Sequence, residues 1–408
     1  MGISGRGTCK VAGGKLVGVN VIAADDGRIT SCSVDGDFFV DASDEEAEAL
    51  LDDLGRALAA GLHSGDDVSR ALLAHPAARL IGIGPDAIRT AFLRALEDAG
   101  VEGRPAMGNP TGDPIGTFQA PDAEAGRDSR ADAWRRRWSR LHPRIIHDAP
   151  RDPHDQMEVD ERWARLTAAG MMPPTLRFWE WASPAVVIGR FQSASAEVDL
   201  DRVRLEGFTV VRRCTGGGAM FIEPGDTITY SLIAPLSFVS DVDVVTSYRL
   251  CDQWLVDALE GVGIHASFSG LNDISSDQGK IGGAAQRRFP PVDGGPGAVL
   301  HHVTLAYDID AVRMGRILTP DRRKLADKAV RSAVRRVDPM RSQTGLPRDE
   351  IVERLIRSAA TTSGTAAAMV PGHAAPDAAG DRDARPRGAR PRPVPGGDGS
   401  GPSGPAIQ

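Results

Sequence analysis

Lysine is nearly missing from this chain. Of 48 basic residues only five are lysines (Lys10, Lys15, Lys280, Lys324 and Lys328), and arginine carries the rest. Where almost every positive charge is written as a planar guanidinium, each lysine raises the question of whether a compact ammonium is needed there. Cysteine is scarce as well: Cys9, Cys32, Cys214 and Cys251 are scattered without CxxC spacing. That excludes a zinc ribbon or a disulfide framework and suits reduced thiols in a cytosolic protein. No run of about 18 apolar residues occurs, and the opening MGISGRGTCKVAGGK lacks the apolar centre of a secretory signal. A cytoplasmic protein with no membrane partner is expected. Net charge is −7 with no clustered Lys/Arg block in the ordered-looking part, so no nucleic-acid footprint is expected either. What remains is ordinary globular chemistry, 41% hydrophobic and 25% charged, in 408 residues with room for two domains.

Residues 1–100 read as a small α+β unit. KLVGVNVIAADDGRITSCSV is two alternating runs around Asp26-Gly27, a hairpin signal. Ser43 with Glu46 three residues on is a capping-box pattern, and Leu50, Leu54 and Leu58 make a helical stripe. A second helix is expected from Asp86 to Ala99. Nothing in this unit looks catalytic. Residues 101–133, rich in Gly, Pro and Asp, read as a linker. Residues 134–358 form a larger domain, and 359–408 a disordered tail, whose Pro/Gly-rich composition cannot bury enough surface to offset chain entropy. In the larger domain PAVVIG, GFTVVRRCT, DTITYSLIAP and GAVLHHVTLAYDID read as strands, and QMEVDERWARLTAAG and SYRLCDQWLVDALEGVG as helices. Strands that follow one another without a helix between each pair point to an α+β fold.

Three stretches carry chemistry. In VVRRCTGGGAMF, three glycines follow Arg212, Arg213 and Thr215 and lead into an apolar wall. A tight turn would explain a glycine pair; the neighbouring guanidiniums and hydroxyl suit backbone closing around phosphate. No G-K-[ST] follows, so this is not a Walker A loop. In LNDISSDQGKIGGAAQRR, Lys280 stands at the mouth of a small-residue loop, Gly282 to Ala285, although DQGK also reads as a plain hairpin turn with a solvated lysine. In AVLHHVTLAYDID, strand alternation places His301 and His302 on opposite faces, so the two are not expected to share a metal.

Together these stretches, with PPTLRFWEWASPAVVIGRFQ and KLADKAVRSAVRRV, resemble the catalytic domain of lipoate–protein ligases, within the wider biotin/lipoate ligase fold. The resemblance covers roughly 154–358, and GGKLVGVNV with DGRITSCSVDGDFF is similar to that family's small accessory domain. It implies a mixed sheet with flanking helices for the catalytic domain. It implies further that Arg213, Thr215, Gly216, Gly217, Gly218, Ala219, Met220 and Phe221 enclose an acyl-adenylate. Lys280 would touch both the acyl carbonyl and the α-phosphate, joined by Asn272, Asp273 and His302. Two positions depart from the family's usual pattern. Ile222-Glu223 stands where His and an acid are common, and Asp226 where Asn is common; Asp226 would add negative charge near the nucleotide unless a metal ion sits there.

The implied activity is ATP- and Mg2+-dependent activation of lipoate or octanoate as acyl-AMP, then transfer to a lysine of a lipoyl domain. Acceptors would be 2-oxoacid dehydrogenase complexes and the glycine-cleavage carrier protein. An ammonium able to contact both a carboxylate and an α-phosphate relieves the repulsion between two anions that must meet. Two alternatives stay open: an acyl transferase working through an enzyme cysteine without ATP, and a lipoate-binding module without catalysis.

Overall fold

A computed structural model of the chain describes residues 2–61, 64–101, 127–319, 339–365 and 370–371. Most of the expected linker, the KLADKAVRSAVRRV stretch and the tail beyond 371 lie outside these residues. The N-terminal unit begins with a strand that the sequence did not announce. β1 (Ile3–Lys10) pairs antiparallel with β2 (Leu16–Ala23), and β2 with β3 (Ile29–Gly36). The expected hairpin is β2–β3, with Gly27 at φ +80° in its turn. Val17, Val19 and Val21 alternate inward onto α1 (Asp44–Ala59) and α3 (Pro85–Asp98). The capping box is present: the Ser43 hydroxyl accepts from the Glu46 amide, and the Glu46 carboxylate accepts from the Ser43 amide. Leu50, Leu54 and Leu58 are fully buried. Gly5 and Gly7 explain why β1 lacks a readable pattern. A Cβ on either would overlap the α3 backbone, at Ala95 and Ala91 respectively, so helix and strand approach as closely as only glycine allows.

The larger part is built on an eight-stranded mixed sheet in which β12 (Ser267–Ser269), β13 (Asp273–Ser276), β14 (Gly279–Phe289), β15 (Ala298–Ala306), β11 (Thr227–Pro235), β7 (Thr175–Trp179), β6 (Arg144–His147) and β16 (Val370–Pro371) follow one another in that order. Its centre is β11, β14 and β15, all antiparallel; β7, β6 and β16 are parallel to one another. On one face lie the helices Val244–Glu260 and Arg348–Ser363, burying Leu250, Trp254, Leu255 and Leu355. On the other lies α5 (Pro153–Ala168), whose Asp160 meets His302. A second sheet, β10-β8-β9, holds β8 (Ala185–Ile188) between β9 (Thr209–Arg212) and β10 (Met220–Ile222).

Three expectations are corrected. Gly282 to Ala285 do not form a loop. They belong to β14, paired with β13 (Asp273–Ser276) and β15, and the turn of that hairpin precedes Gly279. α4 (Arg127–Trp138) starts inside the stretch read as linker, and its Trp138 is fully buried against Trp254. The helix Arg348–Ser363 continues past 359, where the tail was expected to begin.

The N-terminal unit is docked by specific contacts. Asp44, the first residue of α1, pairs with Arg287 and Arg190 and, at 3.3 Å, with Arg165. Burial pushes its carboxyl up, and Arg287 and Arg190 together more than reverse that and hold it below the ordinary range. Phe38 stacks on Phe191 with 5.5 Å between centroids, and Phe39 joins the core of the larger part.

The close approach at β1 gives a first prediction. Gly7→Ala forces strand and helix apart and costs about 3 kcal/mol or more. Gly315→Ala, in a helical turn with nothing within 4 Å of the new methyl, is neutral or stabilises by up to about 1 kcal/mol. Denaturant melts of the two variants check this; equal stabilities would refute the packing argument.

Candidate active site

The three glycines lie between β9 and β10, and each has a different reason to be glycine. A Cβ on Gly216 would stand 2.5 Å from the carbonyl oxygen of Phe38, so the N-terminal unit itself presses on the loop. Gly217 adopts φ +96°, a left-handed conformation, and a Cβ there would meet the Arg213 guanidinium at 2.7 Å. At Gly218 the nearest atoms are those of Asp37, 4.0 Å away, so only this glycine leaves real space beside it.

Arg213 braces the loop from below. It is buried, and its guanidinium donates to the carbonyls of Gly216 (2.7 Å) and Gly218 (2.9 Å) and to the Thr215 hydroxyl (3.1 Å). All these partners are neutral, and burial pulls its pKa down to about 10. Thr215 in turn is 2.7 Å from His302 Nε2, and His302 Nδ1 is 3.2 Å from Asp160. Asp160 also accepts from Ser231 (2.6 Å) and Arg177 (3.1 Å). Burial pushes the His302 pKa down, against the pull of Asp160, so this imidazole is neutral near pH 7. His301, on the opposite face of β15, is 2.7 Å from Asp252 and takes no part.

Above this support opens a cavity of about 520 Å3, in the range of small-molecule sites. Of the residues singled out in the sequence, Arg213, Gly217, Gly218, Ala219, Met220, Phe221, Asn272, Asp273, Lys280 and His302 line it. Thr215 and Gly216 sit behind the wall. Arg212 points away, donating to the carbonyls of Gly189, Arg190 and Gln192. Asp226 is also not on the wall. It lies with Glu223, Asp308 and Asp310, and its carbonyl accepts from the Tyr307 and Asp308 amides. Lys280 reaches from β14 to Asp273, 2.8 Å from Oδ1, and both side chains are partly exposed. Small residues on β14 keep the adjoining wall flat; Gly283 is within 3.4 Å of the Lys280 ammonium when given a Cβ. Apolar side chains complete the lining: Met157 from α5, Trp179 from β7, Val187 from β8 and Met314.

The N-terminal unit, read from sequence as having nothing catalytic, supplies Lys10, Gly13, Gly14, Lys15 and Asp37 to the same cavity. Lys15 Nζ donates to Asn272 Oδ1 at 2.7 Å and lies 4.9 Å over the Phe39 ring. Every lysine among the described residues (Lys10, Lys15 and Lys280) lines this one cavity. The scarcity of lysine was the available signal. No cysteine does. Cys9 and Cys251 are buried, and burial pushes the thiols of Cys32 and Cys214 up to about 12. Among the described residues no three His, Cys, Asp or Glu side chains are placed so that they could hold a metal ion together.

Residues 152–360 match the family described as the lipoyl protein ligase A/B catalytic domain. An octanoyltransferase LipM of Exiguobacterium sp. is 32% identical over 190 residues, which take in 41% of this chain and 66% of that relative, just under two thirds of its length. The lipoate-protein ligase A subunit 1 of Thermoplasma acidophilum is 30% identical over 222 residues, 53% of this chain and 82% of that one. A solved structure of the bipartite lipoate protein ligase from the same organism superposes with a TM-score of 0.49 and 28% identity, covering 57% of this chain and 86% of its own.

Two predictions rest on this geometry. Gly218→Ala keeps the wild-type melting temperature; Gly216→Ala, pressing on Phe38, lowers the melting temperature by several degrees. Equal melting temperatures would sink the assignment of Gly216 to the interface. The Asp226 carboxyl is pushed up to about 6, by burial first and then by Glu223, Asp308 and Asp310. The folded protein therefore holds this proton more tightly than the unfolded chain, and ionisation above about pH 6 costs stability that returns as pH falls toward about 4. Asp226→Asn gains about 1 kcal/mol near neutral pH, allowing for solvent screening of a half-exposed group. That gain shrinks in acid. Parallel thermal melts from about pH 4 to 8 test it, and curves that stay parallel would refute it.

Proposed function

This chain belongs to the lipoyl protein ligase A/B catalytic domain family, and we propose that it is an ATP-dependent, AMP-forming ligase for lipoate or octanoate. The observation that carries the proposal is the make-up of one cavity wall: lysine ammoniums, a guanidinium and open glycine backbone, with aliphatic surface beside them and no thiol among the described lining residues. Without a thiol there is nothing to hold an acyl group as a thioester between donor and acceptor. Ammoniums and glycine backbone suit the phosphates of ATP as second substrate.

In the first step a carboxylate oxygen of the fatty acid attacks the α-phosphorus. The bond to the bridging oxygen breaks, and pyrophosphate leaves with the electron pair. Lys280 suits this meeting of anions. An ammonium about 4 Å from a unit negative charge is worth on the order of 4 kcal/mol at an effective dielectric near 20. A point-like ammonium contacts two oxygens of different groups more readily than a planar fork. Asp273 holds Lys280 in place before substrate arrives. Met157, Trp179, Val187 and Met314 suit the acyl chain. In the second step the neutral amine of an acceptor lysine attacks the acyl carbonyl, forming an amide, and AMP leaves. Lipoyl domains of 2-oxoacid dehydrogenase complexes and the glycine-cleavage carrier protein are the proposed acceptors. Residues 1–100 are proposed as an accessory domain that completes the site and shields the adenylate from water, which fits the pressure of Phe38 on the glycine loop.

The second reading is an octanoyltransferase that needs no ATP, favoured by the 32% identity to LipM. Incubation with octanoate or lipoate, ATP and Mg2+ separates the two: acyl-AMP with pyrophosphate marks a ligase, acyl exchange from a carrier without ATP a transferase. Under the ligase reading Lys280→Ala abolishes acyl-AMP formation and costs less than about 1 kcal/mol of stability, because its ion pair is partly exposed. Lys280→Arg is also badly impaired; a near-normal rate for the arginine variant would overturn the two-anion argument.

A further inference from the structure

We propose that Lys15, delivered by the N-terminal unit, is a second catalytic ammonium of this site and contacts the β- and γ-phosphates that leave as pyrophosphate. The inference rests on the ligase reading above. It starts from a juxtaposition: Asn272 and Asp273, neighbours in the chain, each hold one lysine at the cavity wall. Asn272 Oδ1 accepts from Lys15 at 2.7 Å and Asp273 Oδ1 from Lys280 at 2.8 Å. The two ammoniums come from distant positions, 15 and 280, to adjacent side chains.

Lys15 is placed by backbone, not by its own side chain. Its amide donates to the Gly82 carbonyl (2.7 Å) and its carbonyl accepts from the Val11 amide (3.0 Å). Gly14 fits because a Cβ there would overlap the Gly82 carbonyl. A turn packed this tightly aims the ammonium into the cavity, where its fixed partners are a neutral amide oxygen and the face of Phe39.

Charge supports the assignment. The wall carries Lys10, Lys15, Lys280 and Arg213 against the carboxylates Asp37 and Asp273, an excess of two positive charges in a chain whose net charge is −7. The groups facing Lys15 are Asp37, Lys10 and Phe39 from its own unit and Asn272, Asp273 and Lys280 from the other. Burial dominates among their effects and pulls the Lys15 pKa down to about 8, despite Asp37 and Asp273. A desolvated ammonium short of counter-charge is what a polyanion would complete. Lys280 is already assigned to the carboxylate and α-phosphate, which leaves the leaving group for Lys15.

The test uses the full chain and the variant Lys15→Met, whose apolar stem still covers Phe39. Expected are an unchanged melting temperature, a fall of about 30-fold or more in kcat/KM for ATP, and an unchanged KM for octanoate. Transfer from chemically prepared octanoyl-AMP to an acceptor stays at the wild-type rate. The wild-type kcat/KM for ATP declines as pH rises through about 8, and the variant lacks that decline. A Lys15→Met enzyme within about threefold of wild type for ATP, or an effect confined to the fatty acid, overturns the assignment while the ligase reading stands. Wild-type protein that forms no acyl-AMP overturns both.

Discussion

The site hangs on one buried carboxylate. Asp160 is 1% exposed, yet burial does not neutralise it, because His302, Arg177 and Ser231 together hold its pKa below the ordinary range. A charge removed from water survives only where such partners are fixed. The chain of contacts then runs outward: Asp160 orients His302, His302 meets Thr215, and Thr215 meets Arg213, which ties down the carbonyls of Gly216 and Gly218. A glycine-rich loop has the least conformational order of its own. Here the order is imposed from beneath, and the face left free is the one that meets the cavity.

The same loop is also held from above. Phe38 presses its carbonyl against Gly216, Phe39 enters the core of the larger part, and Asp44 gathers three arginines. Docking of the N-terminal unit and the shape of the site are therefore one structural fact. A change at either surface is transmitted through atoms already at contact distance.

Much of the fold was legible because its signals are local. The Ser43/Glu46 box, the Leu50/Leu54/Leu58 stripe, the Asp26-Gly27 hairpin and the opposite facing of His301 and His302 each lie within a few residues of chain. What escaped depends on distant partners. β1 carries glycines where α3 crosses it, so Gly5 and Gly7 erase the alternation that would mark a strand. β14 is rich in glycine and alanine and imitates a loop, though it is one of the longest strands. Lys15 meets Asn272 across 257 positions, and no local pattern encodes such a pair. Only composition hinted at it, through a lysine count too low to be indifferent to position.

That separation also orders events in time. The turn carrying Lys15 leaves the ribosome first, and the β13–β14 hairpin follows more than 250 residues later. Contacts of such high sequence separation form late, and units completed early wait for their partners. Before that hairpin is made, the N-terminal segment has only its own side of the cavity: Lys10, Gly13, Gly14, Lys15 and Asp37. The cavity wall is complete only once the turn carrying Lys15 meets the strand pair carrying Asn272, Asp273 and Lys280.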